Sequence, residues 1–260
     1  MLVPAADRRV VDLAAGDGVL LEVGCLAGWT SPKQALGLEL DPDVVRLRPE
    51  HGPRIEAADG LLDEGELLHN WGADIVVGNP PFGRSRDLLT DLQRRRLETE
   101  PRAPRAVWGP RALGEDGRFT DPAGSCRVEE LFLERALSLL GNNGLVAYIV
   151  SDGVLSNRRE QVARDWLGAR ARLLAAVALP ASAFRRSGLN ALAHRIILQR
   201  APASGGVPGT SLFIERRHAG RGRLQNVLDE MLQDLLRLRQ GTDVDGGAAI
   251  SFAELQGRRW

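Results

Sequence analysis

Asp74-Ile75-Val76-Val77-Gly78-Asn79-Pro80-Pro81-Phe82-Gly83 joins a short apolar run to two consecutive prolines. Asp74–Val77 has the composition of a strand buried on both faces. Two prolines fix φ and remove two N–H donors, so the strand has to end at Asn79. The turn beyond the strand is rigid and rich in acceptors. The Asn79 side-chain oxygen and the Pro80 carbonyl are left as fixed acceptors, Pro81 stiffens the turn, and Phe82 adds a flat face beside them. Such a place suits a planar group bearing an amine, with two acceptors for its hydrogens and one ring to stack on. A turn without function is the other reading of the same residues.

Outward from this stretch, six more apolar runs read as strands: Arg9–Leu13, Ala35–Leu40, Arg54–Ala58, Leu145–Val150, Leu173–Leu179 and Leu192–Leu198. Val128–Leu140 (VEELFLERALSLL) carries apolar residues at helical spacing, and Gly141 is expected to stop that helix. Short apolar strands alternating with helical stretches predict an α/β fold, a seven-stranded, mostly parallel sheet with helices on both faces. Residues 1–200 are expected to form one domain. Within it, residues 84–127 are dense in Pro, Gly and Arg with weak periodicity, which reads as a long, partly ordered insertion. APASGGVPGT at residues 201–210 reads as a linker and Leu224–Leu238 as an amphipathic helix, so residues 201–260 are expected to be a linker and a helical extension.

The first strand runs into Asp12-Leu13-Ala14-Ala15-Gly16-Asp17-Gly18. Glycines in such a turn let the backbone approach a ligand closely. A dinucleotide fingerprint would need a third glycine, and position 21 is Leu. The second strand ends at Glu39-Leu40-Asp41, where an acid can accept hydrogen bonds from both hydroxyls of a ribose. The third ends at Asp59-Gly60, where an acid could meet an adenine amine. Each is weak alone. Acids at the carboxyl ends of three successive strands form a stronger pattern, because ligands of open α/β sheets bind there.

The chain has 260 residues, enough for one large domain whose core needs neither disulfide nor metal. Two cysteines make no disulfide framework, and four scattered histidines have no ligand spacing, so no metal is expected. No apolar run reaches the roughly 18 residues of a membrane span, and the first residues lack a signal-peptide layout, so the expected location is cytoplasmic. The formal net charge is +0 from 34 basic and 34 acidic residues, which on its own argues against a nucleic-acid binder. That zero is polarised: residues 1–80 carry −8 and residues 155–200 carry +7. All the basic residues but Lys33 are arginine, a bias that genome composition alone can also produce.

Asn79-Pro80-Pro81-Phe82 after an apolar strand resembles the catalytic motif of S-adenosylmethionine-dependent amino-methyltransferases, and DLAAGDG resembles the family's Asp-Pro-x-x-Gly-x-Gly turn. Val128–Asn157 (VEELFLERALSLLGNNGLVAYIVSDGVLSN) is similar to the helix, strand and loop found after that motif in DNA adenine-N6 methyltransferases, especially modification subunits of type I restriction systems. Leu179-Pro180 through Phe184 and Gly188 resembles their later Leu-Pro…Phe…Gly segment. The resemblance covers about residues 9–235 and implies a Rossmann-like methyltransferase fold. It implies S-adenosylmethionine over Asp12, Ala14, Gly16 and Gly18, its ribose on Glu39, and its adenine near Asp59 and Gly60 with Leu40 and Leu61 as flanking candidates. Asn79 would face both cofactor and target. The implied substrate is adenine N6 in double-stranded DNA, with Phe82 stacking on the flipped base and Phe184 holding its other side. Core packing is the alternative for Phe184. Arg158, Arg159, Arg185, Arg186 and Arg195 are candidates for phosphate contacts, against the commoner reading of a solvated face.

Two departures from the family stand out. Only a few residues precede the first strand, so the cofactor-covering segment usual there is expected to be missing. The target-recognition domain usually found C-terminally is also expected to be absent, which implies a specificity subunit or another recognition partner. The same Asn-Pro-Pro-Phe chemistry serves enzymes that methylate a protein glutamine or an amine of ribosomal RNA. A non-catalytic methyltransferase-like subunit is a further alternative. A nicotinamide dehydrogenase is disfavoured by the missing glycine and by Asn-Pro-Pro-Phe.

Overall fold

The computed structural model describes residues 7–48, 52–62, 68, 71–100, 126–179 and 192–201, and the backbone of 212–213 and 248–249. Seven of its strands make one sheet: β1 (Val10–Asp12), β2 (Ala35–Glu39), β3 (Arg54–Ala57), β4 (Ala73–Gly78), β5 (Leu140–Ser151), β6 (Ala171–Ala178) and β7 (Ala193–Arg200). Their order across the sheet is β3-β2-β1-β4-β5-β7-β6. The pairs β1–β2, β1–β4, β2–β3 and β4–β5 are parallel, whereas β7 runs antiparallel between β5 and β6. The expected seven-stranded, mostly parallel sheet is therefore present. A separate antiparallel pair joins β8 (Leu212–Phe213) to β9 (Ala248–Ala249). The amphipathic helix expected at Leu224–Leu238 lies outside the described residues.

The helices are α1 (Val19–Leu26), α2 (Pro42–Arg46), α3 (Ser85–Leu88), α4 (Asp91–Thr99), α5 (Val128–Leu139), α6 (Asp152–Ser156) and α7 (Gln161–Gly168). Leu36, Leu38, Val76, Val146, Ile196 and Leu198 are fully buried in the sheet, and Leu131, Leu133 and Ala136 of α5 pack into the same core. Each of the Leu, Ile and Val side chains contributes roughly 1.5–3 kcal/mol on leaving water. α5 ends at Leu139, within one residue of the end expected before Gly141, and the chain enters β5 at Leu140, with Asn143 at φ 63° near the start of that strand. A short polar side chain is among the few that tolerate that conformation.

The insertion is partly described. It opens with α3 and α4, and its base is closed by an antiparallel bridge between Arg84 and Arg127. Ser85 N–H donates to the Cys126 carbonyl at 2.9 Å and Val128 N–H to the Gly83 carbonyl at 3.0 Å. Residues that leave the sheet after Phe82 thus return beside it at the start of α5.

Strand order fixes where a ligand can go. The chain steps from β1 outward to β2 and β3, then crosses back to β4 on the other side of β1. The connections after β1 and β4 diverge, and a crevice opens outside their carboxyl ends. Asp12 and Gly78, the last residues of β1 and β4, stand at that switch point.

Candidate active site

Four strand ends line the crevice side by side. The β1 end carries the turn through Gly16 (φ 55°) and Gly18 (φ 85°), both left-handed. Gly18 is also where α1 begins, and a Cβ there would stand 2.9 Å from the Arg48 guanidinium. No residue with a side chain fits that position without strain. Asp12 is 1 % exposed and lies beneath the turn, accepting from Ala14 N–H at 3.0 Å. Burial pushes its carboxyl up to about 7, against the Ala14 bond and with the charge of Glu39. The Tyr148 hydroxyl of β5, also buried, has no hydrogen-bond partner among the described residues, and burial and the Asp12 charge push its pKa up. Asp17 is exposed and accepts from Val19 N–H at 3.3 Å just ahead of α1.

Glu39, at the end of β2, ties two turns together. One oxygen accepts from Gly16 N–H at 2.8 Å and the other from Asp41 N–H at 2.9 Å. A carboxylate has about four acceptor positions, so both oxygens keep capacity for a ribose. Leu40 is 61 % exposed beside it, free to lie against a ring, whereas Leu61 is core. Asp59 accepts from Leu61 N–H and Leu62 N–H with one oxygen, at 3.0 and 3.2 Å. Its other oxygen accepts from the Gln93 side chain of α4 at 2.8 Å. Sequence patterns point to Asp59 but not to Gln93, a polar residue in a stretch with weak periodicity. Gln93 is fixed in turn by Thr90, with which it forms the capping box of α4. Gly60, next to Asp59, is buried against the Leu13 carbonyl.

At the end of β4, Pro80 is buried while Asn79 and Pro81 are exposed and Phe82 is half-buried. The Asn79 side chain has no hydrogen-bond partner among the described residues. An unspent acceptor therefore stands at the crevice end of β4, on a backbone that the two following prolines restrict. Arg158 and Arg159 are exposed on the turn after α6, and Arg195 is half-buried, its pKa lowered by burial. Phe184, Arg185, Arg186 and the Leu-Pro…Phe…Gly segment lie outside the described residues. Among the described residues no group of three or more His, Cys, Asp or Glu is placed to hold a metal, and no helix is long and apolar enough to cross a membrane.

Solved structures share this fold at low identity. A Listeria monocytogenes protein assigned to the class I S-adenosylmethionine-dependent methyltransferases aligns with TM-score 0.56 and 16% identity over 87% of this chain and 62% of that one. A protein of a type I restriction-modification system aligns with TM-score 0.63 and 17% identity over 97% and 53%. The M protein of the type I restriction enzyme EcoKI aligns with TM-score 0.54 and 18% identity over 89% and 49%. The chain thus spans 49% to 62% of the length of these three. No curated protein matches it.

The fold is that of the class I methyltransferases, and S-adenosylmethionine is the methyl donor of such an enzyme. The crevice suits it: glycines close to the backbone path, an acid with spare acceptors at β2, and an exposed Leu40. The model of the Eco57I restriction-modification methylase matches residues 53–182, from the start of β3 past β6 with Asn79–Phe82 inside. Half of its length being matched, the chain belongs to the Eco57I restriction-modification methylase family.

Proposed function

We propose that the protein methylates the exocyclic N6 amine of an adenine flipped out of double-stranded DNA. The observation that carries the reading is Asn79. It is exposed and without a partner among the described residues, at the crevice end of β4, beside a buried Pro80 and close to a half-buried Phe82. S-adenosylmethionine, when bound, supplies an electrophilic methyl group on a sulfonium.

The residues of this chain do the rest by position and charge. An adenine amine is a poor nucleophile because its lone pair is delocalised into the ring. The Asn79 side-chain oxygen and the Pro80 carbonyl accept its two hydrogens and favour a tetrahedral nitrogen with a localised lone pair, an electrostatic and orienting effect. Proline at 80 and 81 keeps those acceptors still. Phe82 stacks on the base, which has to leave the duplex to reach the crevice. Glu39 holds the ribose of the donor, Leu40 flanks its adenine, and Asp59 with Gln93 bounds that end of the crevice. Gly16 and Gly18 let the backbone approach the donor. Phe184, Arg185 and Arg186 are proposed for the other side of the base and the phosphates, with a specificity subunit or recognition domain choosing the sequence, in a cytoplasmic setting.

Transfer of a labelled methyl group to duplex DNA, to ribosomal RNA and to a peptide-release factor tests the reading. Transfer to DNA at adenine N6 is expected. Label on the RNA or on a protein glutamine instead would replace the substrate. Asn79→Ala is expected to lower transfer at least ~100-fold, the scale for losing one preorganised group, with cofactor affinity nearly unchanged. Loss of cofactor binding instead would show that Asn79 serves the donor.

A further inference from the structure

Beneath the Asn79–Phe82 turn lies a buried polar cluster that the methyl-transfer chemistry does not use. Glu129, in the first turn of α5, and Glu160 are each 0 % exposed. Glu129 accepts the Gly83 N–H at 3.2 Å on one oxygen and the Ser151 hydroxyl at 2.5 Å on the other. The Arg127 guanidinium donates to the Ser151 hydroxyl at 3.1 Å and lies 3.9 Å from Glu129. Arg127 also approaches Glu160 at 3.4 Å, and Arg84 pairs with that same Glu160 oxygen at 3.0 Å. The guanidinium groups of Arg84 and Arg127 offset the charge of Glu129 and Glu160, and the neighbouring Glu130, 1 % exposed, accepts the Arg127 backbone N–H at 3.3 Å.

The connections converge on one place. Gly83 is the residue after Phe82, and Arg84 is the next. From the other side come the start of α5, the end of β5 at Ser151, and Glu160 after α6. A buried charge bonded to a backbone amide fixes that amide more firmly than a neutral partner would. We infer that Glu129 is a positioning residue: through the Gly83 amide, and braced by Ser151 and Arg127, it fixes the turn that presents Asn79 and Phe82 to the target. This rests on the reading of that turn as the methyl-transfer site.

Glu129→Gln keeps the shape but offers one acceptor where the carboxylate offered two, and Ser151→Ala leaves the carboxylate while removing its brace. Exchange of the Gly83 amide with deuterium reports on the turn without any substrate. In Glu129→Gln it is expected to speed up about 10- to 100-fold, the scale of one lost bond to a buried charged partner, with sheet amides unchanged. The S-adenosylmethionine Kd should stay within about twofold, and kcat for DNA methylation should fall about 10- to 100-fold with little change in KM for DNA. Ser151→Ala should give the same pattern at smaller amplitude, and stands if Glu129→Gln does not fold. Unchanged Gly83 exchange in a folded variant overturns the inference. So does exchange rising equally throughout the sheet, which marks a general loss of stability. A wild-type protein that leaves DNA unmethylated overturns the proposed function alone, since the Gly83 exchange still decides what Glu129 does.

Discussion

Asp12 shows how a residue can serve a site from underneath. It closes β1, shapes the glycine turn through Ala14, and is shut off from water. Its carboxyl, pushed up to about 7 chiefly by burial, titrates near 3.9 in an unfolded chain. Between these values the folded protein keeps a proton that the unfolded chain has lost. The stability tied to the protonated carboxyl is therefore complete below about pH 4 and is lost as pH rises through about 7. Asp12→Asn keeps the acceptor for Ala14 without the charge. Its stability relative to the wild type should improve from pH 4 to pH 8, by on the order of 2–4 kcal/mol. Denaturant melts of both proteins across that range check this, and a difference independent of pH would sink it.

Elements place these residues, and which runs form strands was the most legible part of the sequence, whereas their order across the sheet was not. Apolar runs marked the strands that lie in the middle of the sheet most clearly, as in β2 and β4, whereas β3 (Arg54–Ala57) is half charged and only partly buried and gave the weakest signal. Asn79-Pro80-Pro81-Phe82 was equally plain, since two prolines leave few conformations. The antiparallel course of β7 was not legible, because strand composition does not encode direction. Glu129 and Glu130 were also missed: acids in the first turn of a helix ordinarily complement its dipole, and nothing local says that these two are buried. Gly83 and Ser151, the partners of Glu129, are contributed by elements distant in the chain. Gly60 offers a test at this scale. A Cβ there would lie 1.9 Å from the Leu13 carbonyl, so the β3 end and the glycine turn can be this close only with glycine at 60. Gly60→Ala should cost about 1–3 kcal/mol of stability and weaken S-adenosylmethionine binding, because the backbone itself has to move. Calorimetry of melting and of binding measures both, and a neutral alanine would show that the two turns are free to separate.

Across the whole molecule, the zero net charge resolves into regions of opposite sign. The acidic residues 1–80 hold Glu39 and Asp59, at the strand ends proposed to receive the cofactor, and Asp12 beneath the glycine turn. The +7 of residues 155–200 is less of a surface than the count suggests. Arg164 is fully buried and donates to the Val154 and Asn157 carbonyls at 2.9 Å each, and Arg195 is half-buried. Arg170 lies 4.4 Å over the Trp166 ring. Arg158 and Arg159 remain exposed, and the adjacent Glu160 pairs with Arg84 beside the Asn79–Phe82 turn. Their chain neighbour Glu160 is the link to that turn, and on the proposed function they flank the target site. On that reading, few phosphates are neutralised by this part of the chain. Duplex DNA affinity should fall as salt rises, and Arg158→Ala should reduce the slope of log K against log salt by about 1 while weakening all sequences alike. Fluorescence anisotropy on two unrelated duplexes at several salt concentrations reads both quantities. A slope unchanged by the substitution would remove Arg158 from the interface, and an effect confined to one duplex would mean that it reads bases rather than phosphates.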